Sequence, residues 1–234
     1  MNPGTQGIYA AAAGMAAQQA WMDAISNDVA NLQTDGYKRE RVGFRELVDG
    51  AGAAPIDSGR SFRQGTPVQS DDPLAVSIDG PGFFQVKGPG GQAALTRGGI
   101  LHVDANGSIV TASGAELVPP IRLPKGVAPD QIQIGADGTV QTQTAKLGKI
   151  TIVDVPAPQA LQSAADGLFL PTAASGRPTA VATSAVRQGF VEGSNVDTAT
   201  AMTDLLQAQR AYQLQSRVLQ LQDQVLEIAN GIRR

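Results

Sequence analysis

Cysteine is absent from this 234-residue chain, so the sequence offers no disulfide framework, no thiolate nucleophile and no thiolate ligand for a metal. Histidine occurs once, at His102, and a lone histidine without cysteine partners is usually a structural residue. Aromatic residues make up only 4% of the chain, which disfavours a large aromatic ligand pocket. We therefore predict no cofactor, no metal site and no cofactor-binding residue.

Charged residues are also scarce, at 17%, and the formal net charge is −3. Nucleic acids and acidic membranes attract clustered lysine and arginine, so this balance argues against binding to either. The basic residues between Lys38 and Arg45 are interrupted by Glu40, and we interpret them as a solvated or subunit-facing patch. The adjacent carboxylates Asp71 and Asp72 point to opposite sides of any strand, so they do not form a glycosidase pair. No catalytic residue is predicted.

No lysine or arginine precedes Lys38, and the apolar stretch 8–17 ends at two glutamines. A secretory signal needs a basic start, and a membrane span needs a longer apolar run. The sequence therefore predicts neither a cleaved signal peptide nor insertion into a membrane.

The first segment carries the signals of a single helix over 2–33, since Asn2-Pro3 suits a helix start and Gly36 suits a helix stop. Apolar residues recur along it at heptad spacing, which predicts a coiled-coil seam. The seam residues that we expect at a subunit interface are Ile8, Met15, Met22, Ile25, Val29 and Leu32.

The last segment predicts a second helix, which begins after the N-cap Asp197 and ends near Asn230. Two apolar lines run along it, and at 100° per residue they make a face roughly 160° wide, more than one neighbouring helix can cover. The predicted interface residues are Leu205, Ala211, Tyr212, Leu214, Val218, Leu219, Leu221, Val225, Leu226 and Ile228.

Between the helices the pattern changes to apolar and polar residues in alternation, separated by turn signals. Alternation over 101–104 and 108–111 around Asn106-Gly107 predicts a β-hairpin, and further strands are predicted at 83–87, 132–134, 139–143 and 149–155. The fold class is therefore α+β. Its predicted parts are a helical assembly domain (1–36 and 190–234), an extended connector (37–73) and a β-rich domain (74–189).

Three separated groups of residues stand out along the chain: 13–15 with 27–38, then 80–86 with 96–107, and finally 188–197 with 208–212. The first group includes a turn with Asn31, Thr34 and Gly36. In this order the groups resemble motifs of the flagellar rod and hook family of axial proteins, and most closely its distal rod members. Asp28 stands where the family usually has Asn.

The resemblance implies a structural subunit of the flagellar rod and not an enzyme. It implies a helical polymer of identical copies whose terminal helices form an inner coiled-coil layer, with the β-rich domain outside. The implied partners are other rod subunits, the hook protein, the surrounding basal-body rings and the type III export apparatus. The implied location is the rod, which spans the periplasm, reached without a cleaved signal peptide.

Two alternatives remain open from the sequence. One is a proximal rod or hook-like axial subunit, which would differ only in its neighbours. The other is a soluble coiled-coil adaptor that dimerises and carries a β binding domain. Because the apolar faces are broad, we also expect the terminal helices to be largely disordered in a free subunit and to fold on assembly.

Overall fold

A computed structural model describes residues 3–46, 53–124, 126–143, 145–181 and 183–232. The chain divides into two compact units. The helical unit comprises Met1–Ala30, Glu40–Arg60 and Asp197–Arg234, so both ends of the chain contribute to it. The β unit comprises Asn31–Arg39 and Ser61–Val196.

Two long helices dominate the helical unit: α1 (Pro3–Ala30) and α2 (Thr198–Ile232). The helices predicted over 2–33 and from Asp197 are confirmed, with ends that differ by at most a few residues. Asp197 is the N-cap of α2, because its carboxylate accepts a 2.7 Å hydrogen bond from the Thr200 amide. The two helices pack on each other. At Gly14 an added Cβ would lie 3.0 Å from the side-chain nitrogen Nε2 of Gln215, so α2 approaches α1 closely at this point.

An antiparallel hairpin of β1 (Glu40–Glu46) and β2 (Ala53–Arg60) packs against α1. This hairpin lies within the stretch predicted as an extended connector, and so does β3 (Pro67–Gln69). The sequence pattern does not predict β1, β2 and β3, because backbone pairing does not require apolar and polar residues in alternation. All three residues of β3 are exposed, and glycine and proline interrupt β1 and β2.

The β unit is built from short strands joined by glycine-containing turns. In chain order after β3 they are β4 (Val76–Asp79), β5 (Phe83–Lys87), β6 (Ala93–Thr96), β7 (Leu101–Val103), β8 (Ile109–Thr111), β9 (Gln133–Ile134), β10 (Thr139–Gln141), β11 (Lys146–Lys149), β12 (Ile152–Asp154), β13 (Gln162–Ser163), β14 (Leu168–Leu170), β15 (Thr179–Ala180), β16 (Ala185–Gln188) and β17 (Phe190–Glu192).

All strand pairs are antiparallel within the described residues. The largest sheet has six strands in the order β13-β14-β6-β5-β12-β15, and a smaller one has the order β11-β10-β9. The remaining pairs are β16 with β4, β17 with β3 and β7 with β8. Short 3-10 turns lie at Pro89–Gly91, Pro129–Gln131, Pro158–Ala160 and Ala165–Gly167.

Alternation along β5 distributes its side chains between two apolar clusters. Phe84 and Val86 belong to the main core of the β unit, whereas Phe83 points to a second cluster. There the Phe83 ring meets those of Phe62 and Phe169 edge-on, at centroid distances of 5.2 and 6.0 Å. Both of these apolar clusters lie in the β unit.

The predicted hairpin over 101–111 is confirmed as β7 and β8. Its turn is closed by Asp104, whose carboxylate accepts hydrogen bonds from the amides of Asn106 (2.9 Å) and Ser108 (2.7 Å). Gly107 adopts a φ of 80°, which explains the glycine. The hydrogen bond from the Ser108 amide holds the pKa of Asp104 below its usual 3.8.

This turn gives a small pH-dependent prediction. A carboxyl group whose pKa is lower in the folded protein stabilises it above the unfolded pKa, and this stabilisation is lost as pH falls through the folded value. We expect Asp104→Asn to lower the melting temperature slightly at pH 7, with a difference from the unmodified protein that shrinks below about pH 4. Melting curves of both proteins between pH 7 and pH 2 measure this. A difference that stays constant with pH contradicts it.

Candidate assembly surface and buried charge cluster

One face of α2 packs inside the helical unit. Ala201 and Ala208 are fully buried there, and Leu205, Tyr212 and Leu219 are half-buried. Successive members of this set are three, four or seven residues apart, which places them on one side of the helix. This face is covered within the single subunit.

A second face of α2 is apolar but uncovered. We call it the outer α2 face. Placed at 100° per residue, its members span roughly 160° on the side of the helix away from Ala208. Single exposed apolar side chains are ordinary, but seven large ones on one side of a helix mark an interaction surface. The large apolar side chains of this face, 44% to 64% exposed, are Met202, Leu206, Leu214, Val218, Leu221, Val225 and Ile228.

The structure splits the broad apolar face predicted for the last helix into two. Leu205, Tyr212 and Leu219 turn inward, whereas Leu214, Val218, Leu221, Val225 and Ile228 lie on the outer α2 face, with Ala211 half-buried between the two. One helix pair can cover only part of a face this wide. The side chain of Leu226 lies outside the described residues. The role of these positions in contacts between subunits stays a prediction.

Predicted seam residues of the first helix are mostly covered. Ile25 is buried, Met15, Met22 and Val29 are half-buried, and the side chain of Ile8 lies outside the described residues. Leu32 follows the end of α1 and is also half-buried. The uncovered side of α1, which we call the outer α1 face, carries Ala12, Ala16, Gln19, Asp23, Ser26 and Ala30.

A cluster of three charged side chains is buried in the β unit. Lys38, Arg97 and Glu192 are 0%, 3% and 1% exposed. The Glu192 carboxylate accepts a hydrogen bond from Lys38 Nζ, a 2.8 Å hydrogen bond from Arg97 Nη1 and a 2.8 Å hydrogen bond from the Gly65 amide. The Glu192 carboxylate therefore pairs with both cations at once.

Both cations of this cluster have further partners. Lys38 Nζ donates to the Arg63 carbonyl at 2.9 Å, and Arg97 Nη2 donates to the Gly80 carbonyl at 3.0 Å. The guanidinium carbon of Arg97 lies 5.6 Å from the centre of the Phe83 ring, where a cation–π attraction operates. Burial lowers the pKa of Lys38 and of Arg97, and the Glu192 carboxylate opposes both shifts. Lys38, Arg97 and Glu192 are therefore buried side chains that stabilise the β unit.

Asn195 joins the same region from the C-terminal side. Its amide oxygen accepts from the Arg39 amide at 2.7 Å, and its amide nitrogen donates to the carbonyls of Ser61 (2.6 Å) and Arg63 (2.9 Å). Beside it, the Gly36 amide donates to the Glu192 carbonyl at 2.6 Å. The segment before β1 is thereby tied to the segment after β17.

The turn formed by Asn31, Thr34 and Gly36 lies at the entrance to this region. Thr34 donates its hydroxyl to Asn31 Oδ1 at 3.0 Å and its amide to the Asn31 carbonyl at 3.1 Å. Gly36 has a φ of 69°, and a Cβ there would lie 2.6 Å from the Arg97 carbonyl carbon. Only glycine fits at this point of the chain.

The interpretation of the basic residues 38–45 as a solvated patch is wrong for Lys38, which is fully buried. Arg39 is half-buried and Arg41 is exposed. Sequence reasoning missed Lys38, Arg97 and Glu192 because their neighbours in the chain do not reveal the contact. The available signal was that each charge stands inside one of the three family motifs.

Comparison with known proteins decides the family. The chain matches the models of the flagella basal body rod protein (residues 8–38), the flagellar hook protein FlgE/F/G D1 domain (77–142) and the flagellar basal body rod FlgEFG protein C-terminal region (187–232). It is 34% identical to the flagellar basal-body rod protein FlgG of Buchnera aphidicola subsp. Schizaphis graminum, in an alignment that covers 94% of this chain and 96% of the relative. The chain belongs to the flagellar basal-body rod protein family.

Within one organism, this chain is more similar to FlgG than to FlgF, another rod protein of the family. FlgG of Caulobacter vibrioides is 34% identical, in an alignment that covers 97% of this chain and 99% of the relative. FlgF of the same organism is 28% identical, covering 90% of this chain and 89% of the relative. The resemblance to the distal rod protein, FlgG, is confirmed.

Membership of the rod family settles the class of function. The relatives are structural proteins of the basal body, so this chain is a structural flagellar subunit and not an enzyme, and it resides in the basal body. Neither described helix combines the length and the apolar character that a membrane span needs.

The three regions that match rod family models each supply one member of the buried cluster. Lys38 lies in the first region, Arg97 in the second and Glu192 in the third. The separated motifs of the flagellar rod family therefore meet at one point in space, which accounts for charged residues in otherwise glycine-rich or apolar sequences.

Proposed function

We propose that this rod protein polymerises into a helical tube because neighbouring copies cover its outer α2 face, with α1 and α2 forming an inner coiled-coil layer. The observation that carries this proposal is the row of seven large apolar side chains, each 44% to 64% exposed in the single subunit. A rod subunit assembles with neighbouring subunits, and all the large exposed apolar side chains among the described residues of the helical unit lie on this face.

The free energy gained by covering the outer α2 face favours contacts with many neighbours over a single pair of copies. Covering the exposed half of seven large apolar side chains contributes on the order of 5–10 kcal/mol. Association of two bodies costs about 4–15 kcal/mol in lost freedom of motion. A dimer formed through this face alone is therefore marginal, whereas a tube in which each copy touches several others is stable. The soluble dimeric adaptor accordingly has less support than the rod.

The rest of the proposal follows from the family. In the tube, the helical unit forms the inner layer and the β unit the outer one. Its neighbours are identical copies, other rod subunits and the hook protein, with the basal-body rings outside. The FlgG relatives support a place in the distal rod, and export by the type III route is part of the same proposal.

Exposure of the outer α2 face also affects the stability of the terminal helices in the free subunit. Helices in proteins gain most of their stability from packing of an apolar face against other elements. With this face exposed to water, the terminal helices are weakly held in a single copy and gain order when neighbours cover them.

Cysteine labelling can test this proposal, because the chain has no cysteine of its own. Leu221→Cys places one thiol on the outer α2 face. We expect a soluble maleimide to label this thiol fully in the purified free protein and at least about tenfold more slowly in isolated basal bodies, where neighbouring helices shield it. Labelling is quantified by mass spectrometry.

A second single variant, Asp130→Cys, serves as the control, since Asp130 is an exposed residue of a 3-10 turn in the β unit. Its thiol should react in the free protein at the same rate as the thiol at position 221. Equal labelling of position 221 in the free protein and in basal bodies contradicts the proposal.

A further inference from the structure

The outer α2 face is not purely apolar, because two arginines lie within it. Arg210 and Arg217 are both exposed, and each stands four residues before a leucine of the face. Their seven-residue spacing places them on the same side of α2, about 10 Å apart along its axis. In the part of the chain that the structure describes, neither side chain takes part in an ion pair.

Any surface that covers the apolar residues also covers these two guanidinium groups. A charge that loses water without gaining an opposite charge opposes binding. The partner of this face must therefore present a carboxylate among side chains small enough to let two helices come together. A second outer α2 face does not meet this need, because it would bring arginines against arginines.

The outer α1 face has the required chemistry. Of the two acidic residues of α1, Asp28 is buried and holds the Glu40 amide at 3.0 Å, whereas Asp23 is exposed at the middle of the face. The Asp23 carboxylate accepts a 2.9 Å hydrogen bond from the side-chain nitrogen Nε2 of Gln19. No apolar side chain larger than alanine stands on this face between Ala12 and Ala30.

We propose that the outer α2 face of one copy docks on the outer α1 face of a neighbouring copy, with Asp23 of the neighbour paired to Arg210 or Arg217. This inference rests on the proposed assembly through α2 and names the surface that receives it. The two faces are different, so the contact is head-to-tail and leaves one free α1 face and one free α2 face after each addition. Such contacts generate open helical filaments.

Disulfide cross-linking tests the contact. In a chain that carries Asp23→Cys together with Arg210→Cys or Arg217→Cys, mild oxidation of isolated basal bodies should link successive copies into a ladder of oligomers on non-reducing gels. The chain contains no other cysteine. The pair Asp130→Cys with Arg217→Cys is the control and should give no ladder.

Charge reversal gives an independent readout. Asp23→Arg should reduce the number of complete rods about tenfold or more, because it faces like charge with like charge. Combining it with Arg210→Asp or Arg217→Asp should restore rods, whereas Asp130→Arg, an equal change of charge in the β unit, should leave their number unchanged.

The outcomes distinguish failure of the docking on α1 from failure of the assembly through α2. If the thiol of Leu221→Cys is shielded in basal bodies but both Asp23 cysteine pairs give no ladder and neither charge swap restores rods, the docking on α1 is overturned and assembly through α2 stands. If that thiol is not shielded, assembly through α2 fails first. A ladder from either Asp23 pair, together with rescue by the matching swap, supports the contact.

Discussion

Leu221→Asp is expected to abolish rod assembly and swimming while leaving the β unit folded. Leu221 is 60% exposed in the single subunit, so a carboxylate there remains in water and does little harm to the free protein. In the proposed tube the same side chain is covered by a neighbouring copy. Leu221→Asp removes a large apolar contact and buries a carboxylate that can pair with Arg217, one turn away, only in place of Asp23 of the neighbour. Together these changes oppose burial by several kcal/mol, comparable with what the whole face contributes. A single substitution should therefore prevent polymerisation.

The measurement is the swimming of a strain whose own copy of the gene is replaced by the variant, with electron microscopy of its basal bodies. Leu221→Met keeps an apolar side chain of similar volume and should support swimming. Val68→Asp, at a 50% exposed position of the β unit, controls for the same chemical change elsewhere. Thermal unfolding of purified Leu221→Asp should show an unchanged transition of the β unit. Normal rods in the Leu221→Asp strain would show that this face is not the assembly surface.

Sequence reasoning found the elements whose pattern is strong and local. Both helices were predictable because their apolar spacing runs for many turns and Asp197 caps the second. The β7–β8 hairpin was predictable because Asn106-Gly107 demands a tight turn. Strands of two or three residues, such as β13 and β15, carry too little pattern to be found. They form only because longer neighbours, β14 and β12, offer them a partner.

The candidate surfaces were predicted only in part, for a physical reason. Periodicity identifies which side of a helix is apolar, but it does not say which part of a wide apolar side is covered by the same chain. The structure resolves this by placing Ala201 and Ala208 against the subunit and Leu214 and Leu221 toward water. The buried cluster was not predictable, since Lys38 and Glu192 are 154 residues apart in sequence.

The buried cluster yields the second prediction, in which removal of its single anion does more damage than removal of either cation. Glu192→Leu leaves the charges of Lys38 and Arg97 together in a site closed to water. Breaking a buried pair in this way typically destabilises a protein by about 3–5 kcal/mol. We expect Glu192→Leu to lower the free energy of unfolding of the β unit by at least that amount, or to prevent its folding.

Removing a cation has a milder consequence because the cluster holds two. Lys38→Met leaves the Arg97–Glu192 pair, with its 2.8 Å hydrogen bond, and the 2.8 Å hydrogen bond from the Gly65 amide. The apolar replacement also fills much of the space of the lysine. The triple variant Lys38→Met, Arg97→Met and Glu192→Leu leaves no charge at all and should be more stable than Glu192→Leu alone. Urea denaturation of the purified proteins measures all three.

The order of these stabilities is what distinguishes a charge effect from a packing effect. Arg187 and Asp79 form a pair 3.9 Å apart whose side chains are 48% and 59% exposed, so Asp79→Asn should change the free energy of unfolding by less than about 1 kcal/mol. If packing alone mattered at the cluster, each added replacement would add to the damage, and the triple variant would be the least stable. Because an unpaired charge in the interior is the larger effect, we expect Glu192→Leu to be less stable than the triple variant, Lys38→Met and Asp79→Asn. The three family motifs would then be joined by one buried carboxylate, which pairs with a cation from each of the other two segments.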